Sequence, residues 1–316
     1  MLSEAQQQQF HRDGYLVVED VIDPAHLMAL KTEYAELLDG LYREWYARGL
    51  VDIAPDDLSF WQQLDEGYRN PDIDWFQPLD ISLPGDQVQE DTPMHFGPAI
   101  FNIVTHQKVL DIVESLLGPE ITSNPIQHVR IKPPQCDLRA DEIRPHLALT
   151  DWHQDRGVGH AESDNTDIVT VWLAVTDATV ENGCLQVVPG AHDKMLPHCP
   201  KKQTAIADGF VDESHAVPLP VQAGGVVLFH PLTPHSSLPN TSVGYRWSFD
   251  LRYNVTGQPT GRAHFPEFIA RSKRDPASEL HDWREWKQLW EDARLRVANA
   301  PHIAIHRWRS DSPFCA

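Results

Sequence analysis

The stretch Arg246-Trp247-Ser248-Phe249-Asp250-Leu251-Arg252-Tyr253 alternates polar and apolar side chains without a break. Successive side chains on a strand point to opposite faces, so Arg246, Ser248, Asp250 and Arg252 share one face and the three aromatic residues and Leu251 the other. One face is built to pack and the other is polar. Further strand-like runs lie at residues 126–132, 168–175, 185–188 and 226–229, separated by turn signals such as Glu181-Asn182-Gly183, Pro189-Gly190 and Ala223-Gly224-Gly225. Many short strands with glycine and proline turns predict a mainly β fold with flanking helices, a sandwich or jelly roll.

The helices lie outside this core. Ser3-x-x-Gln6 forms a capping box for a short helix that Gly14 ends, followed by a strand at residues 15–18. Asp23-Pro24 opens a long amphipathic helix with Leu27, Leu30, Tyr34, Leu37, Leu38, Leu41 and Trp45 on one face. Residues 105–117 predict another helix, and residues 275–298 a last one, whose Trp283, Trp286 and Trp290 are read as packing. Residues 51–98 are rich in Pro, Asp and Gly with no sustained period, which fits either a long ordered lid or a disordered segment. The expected organisation is one domain over 1–316: N-terminal helices, strand and lid in 1–125, a jelly-roll core in 126–255 and a helical tail in 256–316.

Charge narrows the function. The 316 residues hold 26 Lys and Arg against 46 Asp and Glu, a formal charge of -20, which argues against a nucleic acid or an anionic membrane as partner. No run approaches the roughly 18 apolar residues needed to span a bilayer, and the N-terminus lacks the pattern of a signal peptide. The four cysteines, Cys136, Cys184, Cys199 and Cys315, show no C-x-x-C spacing, so reduced thiols in a cytoplasmic protein are expected. A small molecule is the expected partner, and the oligomeric state is left open.

Trp152-His153-Gln154-Asp155 carries the chemistry. His153 and Asp155, two apart, fall on one side of an extended segment and are placed to share a cation, although such a pair alone is equally a solvated turn. His235 precedes Arg246 by eleven residues, and an intervening turn brings both to one pocket, where an arginine meets a carboxylate bidentately. Two histidines and a carboxylate on one octahedral face are the ferrous ligand set of many oxygenases. His128 and Arg130 share the face of their strand that looks into a barrel, unless that strand lies on the surface.

Taken together, Trp152-His153-Gln154-Asp155, then Glu181-Asn182-Gly183-Cys184-Leu185-Gln186-Val187-Val188-Pro189-Gly190-Ala191-His192, then Gly225 to His230 and His235-Ser236-Ser237-Leu238-Pro239-Asn240 to Arg246 resemble the phytanoyl-CoA dioxygenase family of iron(II)- and 2-oxoglutarate-dependent oxygenases. Phe10-His11-Arg12-Asp13-Gly14-Tyr15 adds to the likeness, which runs from about residue 5 to 255. The resemblance implies a double-stranded β-helix (jelly roll, cupin-like), with His153, Asp155 and His235 as iron ligands and Arg246 gripping the distal carboxylate of 2-oxoglutarate. It brings Thr170, Trp172 and Ser237 near the co-substrate. Arg130 is assigned there too, and His128 and Arg252 to the substrate.

The implied reaction consumes dioxygen and 2-oxoglutarate, releases succinate and carbon dioxide, and hydroxylates, desaturates, epoxidises or cyclises a small metabolite or natural-product intermediate. Family members act on amino acids, compatible solutes, alkaloids and acyl thioesters, so the substrate is not implied. Halogenating relatives lack the carboxylate that Asp155 supplies, which argues against halogenation. Gly224-Gly225 replaces the family's usual Gly-Asp and bears on turn geometry only. His230 is a competing ligand that matches a structural position in the family, and His160 is a candidate for the site mouth. Two other readings use the same residues: a non-catalytic jelly-roll metal- or ligand-binding protein, and a cupin-like metal hydrolase or isomerase.

Overall fold

A computed structural model describes residues 1–138, 147, 149–200 and 203–315. Its strands are β1 (Tyr15–Val18), β2 (Glu120–Lys132), β3 (Ile168–Ala174), β4 (Leu185–Val187), β5 (His198–Pro200), β6 (Thr204–Ile206), β7 (Val217–Leu219), β8 (Val226–Phe229), β9 (His235–Ser237), β10 (Arg246–Val255) and β11 (Phe268–Ser272). The helices are α1 (Glu4–Asp13), α2 (Pro24–Ala47), α3 (Phe60–Arg69), α4 (Pro98–Val104), α5 (Gln107–Leu117) and α6 (Trp283–Ala298).

The major sheet runs β1-β8-β3-β10-β2-β11, every pair antiparallel. A second sheet runs β7-β4-β9, and β5 pairs with β6. Residues 152–153 join the last two: His153 exchanges both backbone hydrogen bonds with His235 at 2.9 and 3.0 Å, and the Ile206 amide donates to the Trp152 carbonyl at 2.7 Å. Trp172, Ala174, Val227 and Phe229 of the major sheet pack against Leu185, Val187 and Leu219 of the minor one. This is the double-stranded β-helix expected.

The alternation on β10 works as read. Trp247, Phe249, Leu251 and Tyr253 are buried with the helices, where the Tyr34 ring of α2 meets Trp247 and Phe249 edge-on at 5.2 and 5.8 Å. Each such side chain contributes roughly 1.5–3 kcal/mol by leaving water. The opposite face turns inward beside β2, with Arg246 opposite Lys132, Ser248 opposite Arg130 and Asp250 opposite His128. The register then jumps to Arg252 opposite Asn124. Pro125, which has no amide hydrogen, lies in the two-residue excess of β2, and the Asn124 side chain takes up the Ile126 amide at 3.0 Å. An even insertion leaves the inward set inward.

Several expectations need revision. The major sheet recruits β1, β11 and the start of β2 from outside residues 126–255. Residues 51–98 are not a featureless loop. They contain α3, whose start Ser59-x-x-Gln62 is a capping box with the Ser59 amide on the Gln62 side chain at 2.9 Å, and they bury Trp75, Leu79 and Ile81. The helix read at 105–117 is α5, which starts after its N-cap His106, and a further short helix, α4, precedes it. The reading of four reduced thiols is corrected: Cys199 and Cys315, 116 positions apart, form a disulfide, while Cys136 and Cys184 are free. Local spacing cannot reveal a pair that the fold alone brings together. No helix among the described residues is long and apolar enough to cross a membrane.

Candidate metal centre

The bridge between His153 and His235 sets their imidazoles 4.2 Å apart, centroid to centroid. His153 Nδ1 lies 2.9 Å from the Asp151 carbonyl and His235 Nδ1 2.9 Å from the Thr233 carbonyl. A carbonyl only accepts, so each Nδ1 carries a proton, and in the neutral ring Nε2 is left with its lone pair. Phe229 stacks on the His235 ring at 4.4 Å and fixes its plane.

Asp155 is not on a strand. It opens a 3-10 turn, Asp155–Val158, and its position is set by its neighbour Gln154. The Gln154 side chain donates to the Lys194 and Leu232 carbonyls at 2.8 and 2.6 Å and accepts from the Leu196 amide at 2.7 Å, clamping two loops to the turn. Asp155 Oδ1 then lies 3.9 Å from His153 Nε2, and Oδ2 lies 4.0 Å from His235 Nε2. All three residues are buried, with one donor atom from each within 4.8 Å of the others.

Burial would raise the Asp155 carboxyl, but Arg252, the two histidines and Thr170 outweigh it and hold the group below the usual carboxylate range. Arg252 donates to Oδ1, and Thr170 Oγ1 donates to Oδ2 at 2.5 Å. Burial, then His235, pushes the His153 imidazole well down, so it stays neutral. Two imidazole nitrogens and one anionic oxygen fit a divalent iron ion.

Deeper in the barrel, Arg246 is 1% exposed and sits 5.2 Å above the Trp172 ring. Its Nη1 reaches Ser248 at 3.3 Å, and its Nε is buried with no partner. Burial, then Arg130, lowers it to about 10, so it remains a cation at neutral pH. Among the described residues no carboxylate forms an ion pair with it. Lys132, its cross-strand neighbour, donates to Ser237 Oγ at 2.6 Å and to the Leu238 carbonyl at 2.9 Å. An arginine left without an acid in such a place fits the free carboxylate of a dicarboxylate whose other end reaches the metal.

The structure thus gathers His153, Asp155, His235, Thr170 and Arg252 into one cluster and Arg246, Trp172 and Ser237 into a second. Arg252, expected at the substrate, lines the cavity and also donates to Asp155. Arg130 is held by Asp250, Nε to Oδ2 at 2.5 Å. His128 contacts Asp80 at 2.9 Å, and burial lowers it to about 3. His230 packs against His192 away from the triad, and His160 contacts the Ala304 carbonyl at 2.6 Å. Lys132, Asp80, Asp250 and Arg262 were missed as site residues. The first had a signal, since it lies on the inward face with Arg130, whereas Asp80 and Arg262 come from irregular segments. A cavity of about 640 Å³ opens beside the metal cluster, lined by His153, Arg252, His128, Arg130 and Arg262.

A double-stranded β-helix with two histidines and an aspartate clustered in its interior is the architecture of a non-haem iron oxygenase. The chain belongs to the phytanoyl-CoA dioxygenase (PhyH) family, whose profile matches residues 10–248, and is an iron- and 2-oxoglutarate-dependent oxygenase. Phytanoyl-CoA dioxygenase domain-containing protein 1 of Danio rerio is 27% identical over 273 residues, covering 77% of this chain and 86% of the relative. The fold is shared with the non-heme monooxygenase ThoJ in its apo form, at a TM-score of 0.59 and 20% identity over 93% of this chain and 97% of that one. It is also shared with the epimerase SnoN from nogalamycin biosynthesis, in complex with Fe3+, alpha ketoglutarate and nogalamycin RO, at 0.51 and 21% over 82% and 87%.

Proposed function

We propose that the protein oxidises a C–H bond of a small metabolite or natural-product intermediate, with His153, Asp155 and His235 holding iron(II) and Arg246 holding the distal carboxylate of 2-oxoglutarate. The observation that carries this reading is the triad itself: three buried donors within 4.8 Å, with both histidines tied back at Nδ1 so that Nε2 is free to bind metal. When bound together, iron and 2-oxoglutarate supply the activation of dioxygen, coupled to decarboxylation to succinate and carbon dioxide.

The chain's own residues bind and orient. Thr170 and Arg252 fix the Asp155 carboxylate and keep it ionised. Trp172 supports the Arg246 guanidinium, and Lys132 with Ser237 completes the polar end for the co-substrate. His128 and Arg130 face the substrate side, braced by Asp80 and Asp250. Residues 74–86 wall the cavity and serve as the lid that limits water. A cavity of about 640 Å³ suits a small substrate, and SnoN's association with nogalamycin biosynthesis is in keeping with that choice.

Anaerobic addition of iron(II) and 2-oxoglutarate is expected to give a weak visible charge-transfer band, and oxygen then to release succinate. Turnovers of metabolite extracts, read by mass spectrometry, should yield a product heavier by one oxygen or lighter by two hydrogens. Full activity of Arg246→Ala without 2-oxoglutarate would instead point to a metal hydrolase or isomerase.

A further inference from the structure

Arg262 lies between β10 and β11, beyond residues 10–248 that match the family. Its backbone is fixed: its amide donates to Thr260 Oγ1 at 3.2 Å, its carbonyl accepts from the Phe265 amide at 2.9 Å, and Asn124 of the β2 irregularity holds the Thr260 carbonyl at 3.1 Å. The side chain turns back to the metal centre, where Nη2 donates to the Val158 carbonyl, at 3.0 Å, in the turn that Asp155 opens. The residue is 6% exposed, lines the cavity that reaches His153, and leaves Nε buried with no partner.

Each other arginine of this interior has a use. Arg252 holds Asp155, Arg130 holds Asp250, and Arg246 awaits the co-substrate. Arg271, equally buried, pairs with both Asp111 and Glu114. Arg262 has no ion-paired acid among the described residues, in a chain with 46 Asp and Glu to spare. Burial, then Arg252, lowers it to about 10, which leaves it charged, and the nearby His264 and His306 add no negative charge. A buried guanidinium without a counterion is destabilising, and its planar fork matches a carboxylate.

We propose that Arg262 is a specificity-determining residue that pairs with a carboxylate of the prime substrate, so that the molecule oxidised is a small organic acid held between Arg262 and the metal. The proposal rests on the oxygenase reading and names the substrate class for it.

The test uses the full chain loaded with nickel(II), to prevent turnover, and saturated with 2-oxoglutarate. Acetate, benzoate and 2-naphthoate are titrated by calorimetry, each beside its primary amide. At least one acid is expected to bind saturably without displacing 2-oxoglutarate, and its amide at least tenfold more weakly. Arg262→Gln should abolish that preference with 2-oxoglutarate affinity unchanged, and Arg262→Lys, which keeps the charge but not the fork, should weaken the acid severalfold. Equal binding of acid and amide, acids that only compete with 2-oxoglutarate, binding of none of the acids, or an Arg262→Lys protein that binds the acid as the parent does would overturn the proposal. Failure of the parent protein to bind nickel and 2-oxoglutarate is read separately and removes the oxygenase reading and this one together.

Discussion

Arg252 donates to Oδ1 of Asp155 inside the barrel, so the carboxylate proposed to hold iron is already gripped by a guanidinium. The pair is almost sealed from water, Arg252 at 4% exposure and Asp155 at 5%. Outer partners of this kind orient a ligand and commonly account for 10–100-fold in metal affinity. Arg252→Gln is therefore expected to weaken iron binding by about that factor, measured by competition against a chromogenic chelator, with the folded state checked by circular dichroism. Thr170→Val, which removes one hydrogen bond to the same carboxylate, should have a smaller effect in the same direction. Unchanged iron affinity in Arg252→Gln would show that the pair does not position the ligand.

Arg246 predicts a different split. It lies at the other end of β10 from Arg252, in the cluster with Trp172 and Ser248, so its loss should fall on the co-substrate and not on the metal. A charge-assisted bond to a buried carboxylate contributes about 1.5–3 kcal/mol. Arg246→Gln should raise the KM for 2-oxoglutarate on the order of tenfold to a hundredfold, with iron affinity within twofold of the parent. A rise in KM confined to the prime substrate would assign Arg246 to the wrong molecule.

These two clusters show what the sequence could and could not disclose. The β10 alternation was legible because ten consecutive residues obey one period, and inward Arg246 and Arg252 follow from it. His153, Asp155 and His235 became legible only through family resemblance, since the bridge that joins the histidines is a single residue pair with no periodicity. The three-residue strands β5, β6 and β7 are too short to carry an alternation. Asp80 and Arg262 reach the cavity from irregular backbone, and the role of Arg252 depends on Asp155, 97 positions away. The apolar pattern locates the barrel, but the pairing of charges inside it is decided by long-range geometry.

His198 links the site to pH. It is 1% exposed; its Nε2 accepts the Gln154 amide at 3.1 Å and its Nδ1 donates to the Leu196 carbonyl at 2.8 Å. Protonation would set a second donor against the Gln154 amide, and burial lowers the ring to about 4, below the ordinary 6.5. Because the unfolded chain binds this proton more readily, the neutral ring's contribution is complete above pH 6.5. It is lost progressively as pH falls from 6.5 toward about 4. The loss amounts to about 3 kcal/mol at most. Urea midpoints measured across this range should fall more steeply for the parent than for His198→Gln. Since His230 titrates in the same window, it is the difference between the two proteins that isolates His198, and parallel curves would refute the assignment.

The disulfide predicts a substrate effect at a distance. Cys315 is bonded to buried Cys199 on β5, which ties the C-terminal segment to the β5–β6 pair. Between the bond and α6, Trp308 donates to the Gly157 carbonyl at 2.7 Å and stacks on His198 at 5.0 Å, while Arg307 reaches the Arg156 carbonyl at 3.0 Å. These contacts set Ile305 and His306 into the cavity wall. Releasing the end of a segment with so few buried apolar anchors should let it open locally without unfolding the barrel. Cys315→Ser is therefore expected to speed amide hydrogen exchange over residues 303–315 and to raise the KM for the prime substrate severalfold. The KM for 2-oxoglutarate should stay as it is, because Arg246 and Trp172 lie on strands that the tail does not hold. Equal rises in both constants would mean that the bond supports the whole barrel, and no change in exchange would mean that Arg307 and Trp308 suffice to hold the tail.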